Sequence, residues 1–339
     1  MIMAGHSLTL NNLKKGLKNP TRAIDEFVLD YVYRTPIVWL NGIRTIGTNV
    51  FDREWDVLIV LDTARVDALR IVAEEYDFIG EVDSIWSVGG ASAEWLARTF
   101  DEQHLDEIQT TAFCSAQSHI QEILDTKIHK TDSGRPLPFK TLQAIPSVDI
   151  DDLGKAEYLF NFENIGEEGP FGHIEGNTPP RYVTDRGIAV GREHDFDRLI
   201  LQYHQPHTPW FSQALEEDRE LEYHEYDWWN YYYETADIDS IWGAYMSDLR
   251  YVLDDIEILL ENLDAEKVVI TADHGEAFGE YGVLGHKLGS LHPQIRKVPW
   301  VVTSAEDKKT YEPTIKEPDN EKMSREELDS QLEALGYKV

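Results

Sequence analysis

Two near-continuous apolar runs, Asp56-Val-Leu-Ile-Val-Leu61 and Val268-Val-Ile-Thr-Ala272, constrain the fold more than any other feature, and each leads directly into an acidic residue, Asp62 and Asp273. Strands with no polar alternation belong to parallel sheets whose two faces are both covered by helices. A third run, Arg198-Leu-Ile-Leu-Gln-Tyr203, leads into His204. The class predicted is α/β, with polar side chains gathered at the carboxyl edge of the sheet, where open α/β folds keep their sites.

Asp273 is followed by His274 and Gly275, so one strand end offers a carboxylate and an imidazole side by side, and the glycine is expected to let the backbone turn tightly. Further strands are expected at residues 79–86, 110–114 and 298–302, and helices at 63–75 and 238–263. Ser87-Val-Gly-Gly-Ala-Ser92 reads as a glycine-containing turn feeding a helix that starts at Ser92 or Ala93. Residues 129–180, rich in Pro, Gly and Asp, read as loops and small insertions. The aromatic cluster 223–233 reads as packing rather than as a sugar-binding wall, and Arg65 with Asp67 as a structural pair.

The domain plan is an N-terminal helical extension (1–50), a catalytic domain (51–305) and a charged tail (306–339). Within the extension, residues 8–17 are expected to form a short helix, and Pro20 with Thr21 to start another. Segment 24–40 is apolar and aromatic and reads as a helix packed on the domain, with peripheral contact to a membrane or partner as the alternative.

The chain carries 63 acidic against 31 basic residues, a net charge of −32, yet 42% hydrophobic and 11% aromatic content is enough for a core. Such a surface suits a high-salt cytoplasm and a halophilic source. It argues against a nucleic-acid partner, because phosphate backbones are bound by clustered Lys and Arg. A single cysteine, Cys114, permits no intramolecular disulfide and fits a reducing compartment. With no secretory leader pattern and no ~18-residue apolar run, a cytoplasmic location without a transmembrane segment is expected.

Three strand ends thus present Asp62, the pair Asp273 and His274, and His204 with His207, while a helix start presents Ser92. Mixed oxygen and imidazole ligands favour Mn or Zn, whereas an all-oxygen set favours Ca or Mg. A divalent ion beside Ser92 would lower its hydroxyl pKa and make it a nucleophile.

This pattern resembles the alkaline phosphatase and sulfatase superfamily. Asp56-Val-Leu-Ile-Val-Leu-Asp-Thr-Ala-Arg-Val-Asp67 is similar to its first strand, Val269-Ile-Thr-Ala-Asp-His-Gly-Glu276 with Gly285-His286 to its late metal motif, and Pro206-His-Thr-Pro209 to a turn of its sulfatase branch. The resemblance spans most of residues 55–303. It implies a three-layer sandwich with a central, mostly parallel sheet and helices on both faces. It also implies metal ligation by Asp62, Asp273 and His274, with Mn, Zn or Ca as the divalent ion. His207 and His286 would contact the transferred anion or a second metal, His204 and Lys287 the substrate, and Ser92 would be the nucleophile. Sulfatases make a formylglycine within Cys/Ser-x-Pro-x-Arg, and Ser92-Ala-Glu-Trp-Leu96 has neither the Pro nor the Arg. The implied chemistry is therefore hydrolysis or transfer of a phosphate or phosphonate ester, on a small molecule or glycan. Sulfate-ester hydrolysis and an inactive, binding-only role are the alternatives.

Overall fold

The computed structural model describes residues 28–125, 137–161, 177–193 and 196–318. The expected helices at 8–17 and from Pro20 lie outside the described residues, as do residues 319–339 of the tail.

Seven strands form one sheet: β1 (Val57–Leu61), β2 (Asp83–Trp86), β3 (Thr111–Ser115), β4 (Lys155–Tyr158), β5 (Arg198–Tyr203), β6 (Ala265–Thr271) and β7 (Lys297–Ala305). Their order is β2-β7-β6-β1-β5-β3-β4. The pairs β6-β1, β1-β5, β5-β3 and β3-β4 are parallel, and β7 runs antiparallel to both its neighbours. This is the mostly parallel central sheet that the apolar runs demanded. Every residue of β1 and β3 is buried, which requires both faces of the sheet to be covered.

Helices Pro180–Glu193 and Ile238–Leu260 pack on each other, the former also lying on β5 and β3. The expected helix at 63–75 begins only at Val66 and runs to Val72, because Thr63 is left-handed (φ 65°), a conformation that a β-branched residue adopts at a cost. Its hydroxyl-free backbone groups are held: Thr63 N–H donates to Asp273 Oδ1 (3.4 Å) and its carbonyl accepts from the Tyr245 hydroxyl (3.1 Å).

The segment expected to be loops contains helix Leu137–Gln143 and strand β4. Residues 306–318 of the tail hold no helix and run against helix Pro180–Glu193. Arg192 pairs with Asp307 (2.7 Å), and Asp185 accepts from Tyr311 Oη (2.7 Å) and from the Thr314 and Ile315 N–H groups (2.6 and 2.9 Å). Arg65 pairs with Asp67 (2.6 Å) and also with Glu280 (2.7 Å). In the aromatic cluster Trp228 is fully buried, stacked on Trp229 and packed beside Phe278. Cys114 is buried, which pushes its thiol well above the usual range.

Candidate active site

The four central strands, β6, β1, β5 and β3, deliver polar side chains to one edge. Asp62 follows β1, Asp273 and His274 follow β6, His204 and His207 follow β5, and Gln117 follows β3. All six are buried. Helix Ser92–Thr99 points its N-terminus at them, with Ala91 as the N-cap and Ser92 as its first residue. Its first-turn N–H groups and macrodipole favour an anion at that end.

His274 Nε2 is the centre of the cluster: it lies 3.2 Å from Ser92 Oγ and 3.5 Å from both Asp62 Oδ1 and Asp273 Oδ2. On the other side of the ring, Nδ1 faces the Gly275 carbonyl at 3.0 Å. A neutral imidazole has one N–H, so donation from Nδ1 leaves the Nε2 lone pair toward the carboxylates and the serine. His207 repeats the device, its Nδ1 2.5 Å from the Thr208 carbonyl. In His204 the nitrogens exchange roles: Nε2 faces the Thr208 carbonyl (3.4 Å) and Nδ1 faces the Gln117 amide (3.4 Å). That same amide donates to Asp62.

Burial lowers His274 and His204 to about 4, and burial with the neighbouring His204 and His286 rings holds His207 well below its usual value. These imidazoles are therefore neutral at physiological pH, the form in which a histidine can ligate a metal. Burial, followed by the charges of Asp273 and Glu276, raises the Asp62 carboxyl well above the usual range. Burial likewise pushes Glu276 up to about 8. A cation beside Asp62 would offset the repulsion that raises its carboxyl.

The donor set fits a divalent ion. Asp62 Oδ1 and Asp273 Oδ2 are buried without a hydrogen-bond partner among the described residues, a costly state that an ion between them would relieve. Two groups of three have ligand atoms within 4.8 Å of one another: Asp62 with Asp273 and His274, and Asp62 with His204 and His207. His204, expected to face the substrate, thus stands among these candidate ligands.

His286 lies beside His274 with the rings tilted by 37° (centroids 4.2 Å apart) and 5.3 Å from His207. Its Nδ1 faces Glu276 Oε2 at 3.0 Å, so a buried carboxyl group orients the ring. Lys287 follows it in the chain, half-buried, its carbonyl 2.9 Å from where a Cβ on Gly90 would stand. The expected tight turn at Gly275 has a different cause: its φ is not positive, but a Cβ there would sit 2.2 Å from the Gln294 carbonyl, so strand end and neighbouring chain approach too closely for any side chain.

The loop that carries Ser92 is fixed from behind. Glu94, fully buried, accepts from Asn41 Nδ2 (2.7 Å) and Arg296 Nη2 (2.9 Å) on Oε1 and from the Gly90 and Gly289 N–H groups (2.9 Å each) on Oε2. Sequence reasoning missed Gln117, Glu276 as the partner of His286, and this network. Gln117 was accessible to the rule that found the others, since it stands just past the end of β3; the Glu94–Arg296 pair, 202 positions apart, left no local signal.

No family model and no curated protein sequence matches the chain. Among solved structures it is similar to the soluble domain of lipooligosaccharide phosphoethanolamine transferase A from Neisseria meningitidis (TM-score 0.44, 18% identity, covering 75% of this chain and 77% of that one). It is also similar to a 2-O GAG sulfatase (TM-score 0.39, 12% identity, 85% and 72% covered). A third is a protein in the alkaline phosphatase superfamily from Vibrio parahaemolyticus (TM-score 0.36, 10% identity, 83% and 71% covered).

Proposed function

We propose that the protein is a divalent-metal-dependent hydrolase or transferase acting on phosphate or phosphonate esters through a covalent intermediate on Ser92. The observation that carries this reading is the position of Ser92 Oγ, at a helix N-terminus and 3.2 Å from His274 Nε2, beside two buried carboxylate oxygens with no hydrogen-bond partner among the described residues. Asp62, Asp273 and His274 would hold one ion, and His204 and His207, sharing Asp62, a second position. When bound, the ion supplies charge that lowers the pKa of the serine hydroxyl and offsets negative charge in the transition state.

The chain's own residues do the rest. Ser92 Oγ passes its proton to solvent water and attacks phosphorus; the bond from phosphorus to the leaving oxygen breaks, and that oxygen takes a proton from water. In the second step water or an acceptor hydroxyl attacks phosphorus and releases its proton to solvent, while the bond to Oγ breaks and Oγ takes a proton back from water. First-turn N–H groups of helix Ser92–Thr99, His286 oriented by Glu276, and Lys287 contact the anionic oxygens. Gln117 holds Asp62 and His204 in place from the β3 side.

The test is turnover by the full chain of aryl phosphate, phosphodiester and sulfate esters with added Mn, Zn or Ca in high salt, with metal content measured by mass spectrometry. Expected are bound metal, turnover of a phosphorus ester, a phosphorylated Ser92 peptide in quenched reactions, and loss of turnover in Ser92→Ala. Equal turnover by Ser92→Ala would sink the nucleophile. A folded protein that never binds metal would sink the enzyme reading, and turnover of sulfate esters alone would move the substrate from phosphorus to sulfur.

A further inference from the structure

The segment Val28–Arg34 followed by helix Thr35–Ile43 has one face inside the protein and one outside. Inward, Val38 and Asn41 are buried, and Asn41 Nδ2 donates to the Val88 carbonyl (2.8 Å) and to Glu94. Outward, Leu29, Val32, Tyr33, Trp39, Leu40 and Ile43 stand exposed, Val32 at 62% and Ile43 at 65%. At 100° per residue Trp39, Leu40 and Ile43 fall on one stripe of the helix, and Leu29, Val32 and Tyr33 stand exposed on the π-helical segment that leads into it. Scattered apolar residues on a surface are ordinary, but a continuous stripe with two aromatics is the mark of a contact face.

Charge identifies the occupant. Residues 1–50 hold six Lys and Arg against three Asp and Glu, whereas the remaining chain holds twenty-five against sixty. The apolar stripe therefore lies in a stretch of positive balance on a strongly acidic chain. A second copy of the chain would bring another strongly acidic body close, and six side chains fall well short of the ~20–30 residues a side of a standard protein interface. An anionic bilayer fits both features: Trp and Tyr settle at the headgroup level, aliphatic side chains insert below it, and Lys and Arg face the lipid phosphates.

We propose that this face docks the protein on the surface of an anionic lipid bilayer, with the stripe inserted at the interface and the chain not crossing it. No helix among the described residues is long and apolar enough to span a membrane, so attachment would be peripheral. Because Asn41 ties this helix to the Ser92 loop, docking would set the distance and orientation of the active site relative to the lipid surface.

The full chain is sedimented with vesicles of phosphatidylcholine alone or mixed with phosphatidylglycerol, at low and at molar salt. Expected is binding that rises with the phosphatidylglycerol fraction at low salt and that falls by about two orders of magnitude in the triple variant Trp39→Ser, Leu40→Ser, Ile43→Ser. A second variant, Leu29→Ser with Val32→Ser, is expected to weaken binding too, and near-ultraviolet circular dichroism verifies that both fold. Turnover of a soluble aryl ester would be unchanged in both, which separates this inference from the function of the site. Absence of wild-type binding to either vesicle, equal binding by the variants, or a dimer in sedimentation that the triple variant dissolves would overturn it.

Discussion

Replacing Glu94 by Gln keeps the volume of the side chain and removes one acceptor oxygen and the charge. In the native protein four donors converge on this carboxylate, all within 2.9 Å, and Arg296, also fully buried, has no other carboxylate within ion-pair distance among the described residues. The remaining Arg296 contacts are carbonyls, Ser290 (2.6 Å) and Ser87 (3.1 Å). Whichever way the new amide turns, its NH2 meets donors: either Asn41 and Arg296, or the N–H groups of Gly90 and Gly289. Removing one partner of a buried ion pair costs about 3–5 kcal/mol because the other charge stays buried. At ~2 °C per kcal/mol for a long chain, the melting temperature should fall by roughly 6–10 °C. The assay is thermal and urea unfolding in high salt, for Glu94→Gln, Arg296→Met and the double variant. The double variant should be less destabilised than the sum of the singles, since it buries no lone charge. Turnover should also fall in Glu94→Gln, because Gly90 anchors the loop that places Ser92. A loss under about 1 kcal/mol, or strict additivity, would refute the reasoning.

Two further outcomes follow from the packing around the site. Gly275→Ala should lower both stability and metal affinity, since its Cβ would lie 2.2 Å from the Gln294 carbonyl and the strand end carrying Asp273 and His274 must shift; unfolding midpoints and metal titration check this, and a wild-type metal affinity would contradict it. Asp248 is buried, which raises its carboxyl to about 7 despite hydrogen bonds from Ser212. A carboxyl whose folded value exceeds its unfolded value keeps its proton in the native state, so between the two values stability falls as pH rises, by a few kcal/mol in all. Asp248→Asn should therefore gain stability relative to wild type as pH rises from about 4 to about 7, measured by urea unfolding, and a pH-independent difference would exclude the assignment.

Asp62, Asp273 and His274 were legible in the sequence because they follow apolar runs buried on both faces of the sheet. In β1 and β6 the first charged side chain after the apolar run is the candidate ligand. Where a strand is an edge, that contrast disappears. In β4, Glu157 is buried only because Arg186 pairs with it twice at 2.8 Å, and its neighbour Lys155 is half-buried, so its sequence reads as loop. The orientation of β7 was equally hidden, because an apolar run carries no sign of its direction. The left-handed Thr63 and the close approach at Gly275 depend on residues more than 180 and 18 positions away, Tyr245 and Gln294, and no local pattern encodes either.

The sharing of Asp62 between two ligand groups is a consequence of strand order. Neighbouring parallel strands lie ~4.8 Å apart, so a ligand at one strand end can meet ligands only from the strands beside it. β1 lies between β6 and β5, and its terminal carboxylate is therefore common to the candidate group with Asp273 and His274 and to the one with His204 and His207. β3, one position further, reaches Asp62 only through the longer Gln117 side chain, which contacts His204 on the way. Thus the topology gives the central acid its place in both candidate groups, the flanking strands their separate candidate ligands, and the outer strand an amide whose length matches the added gap.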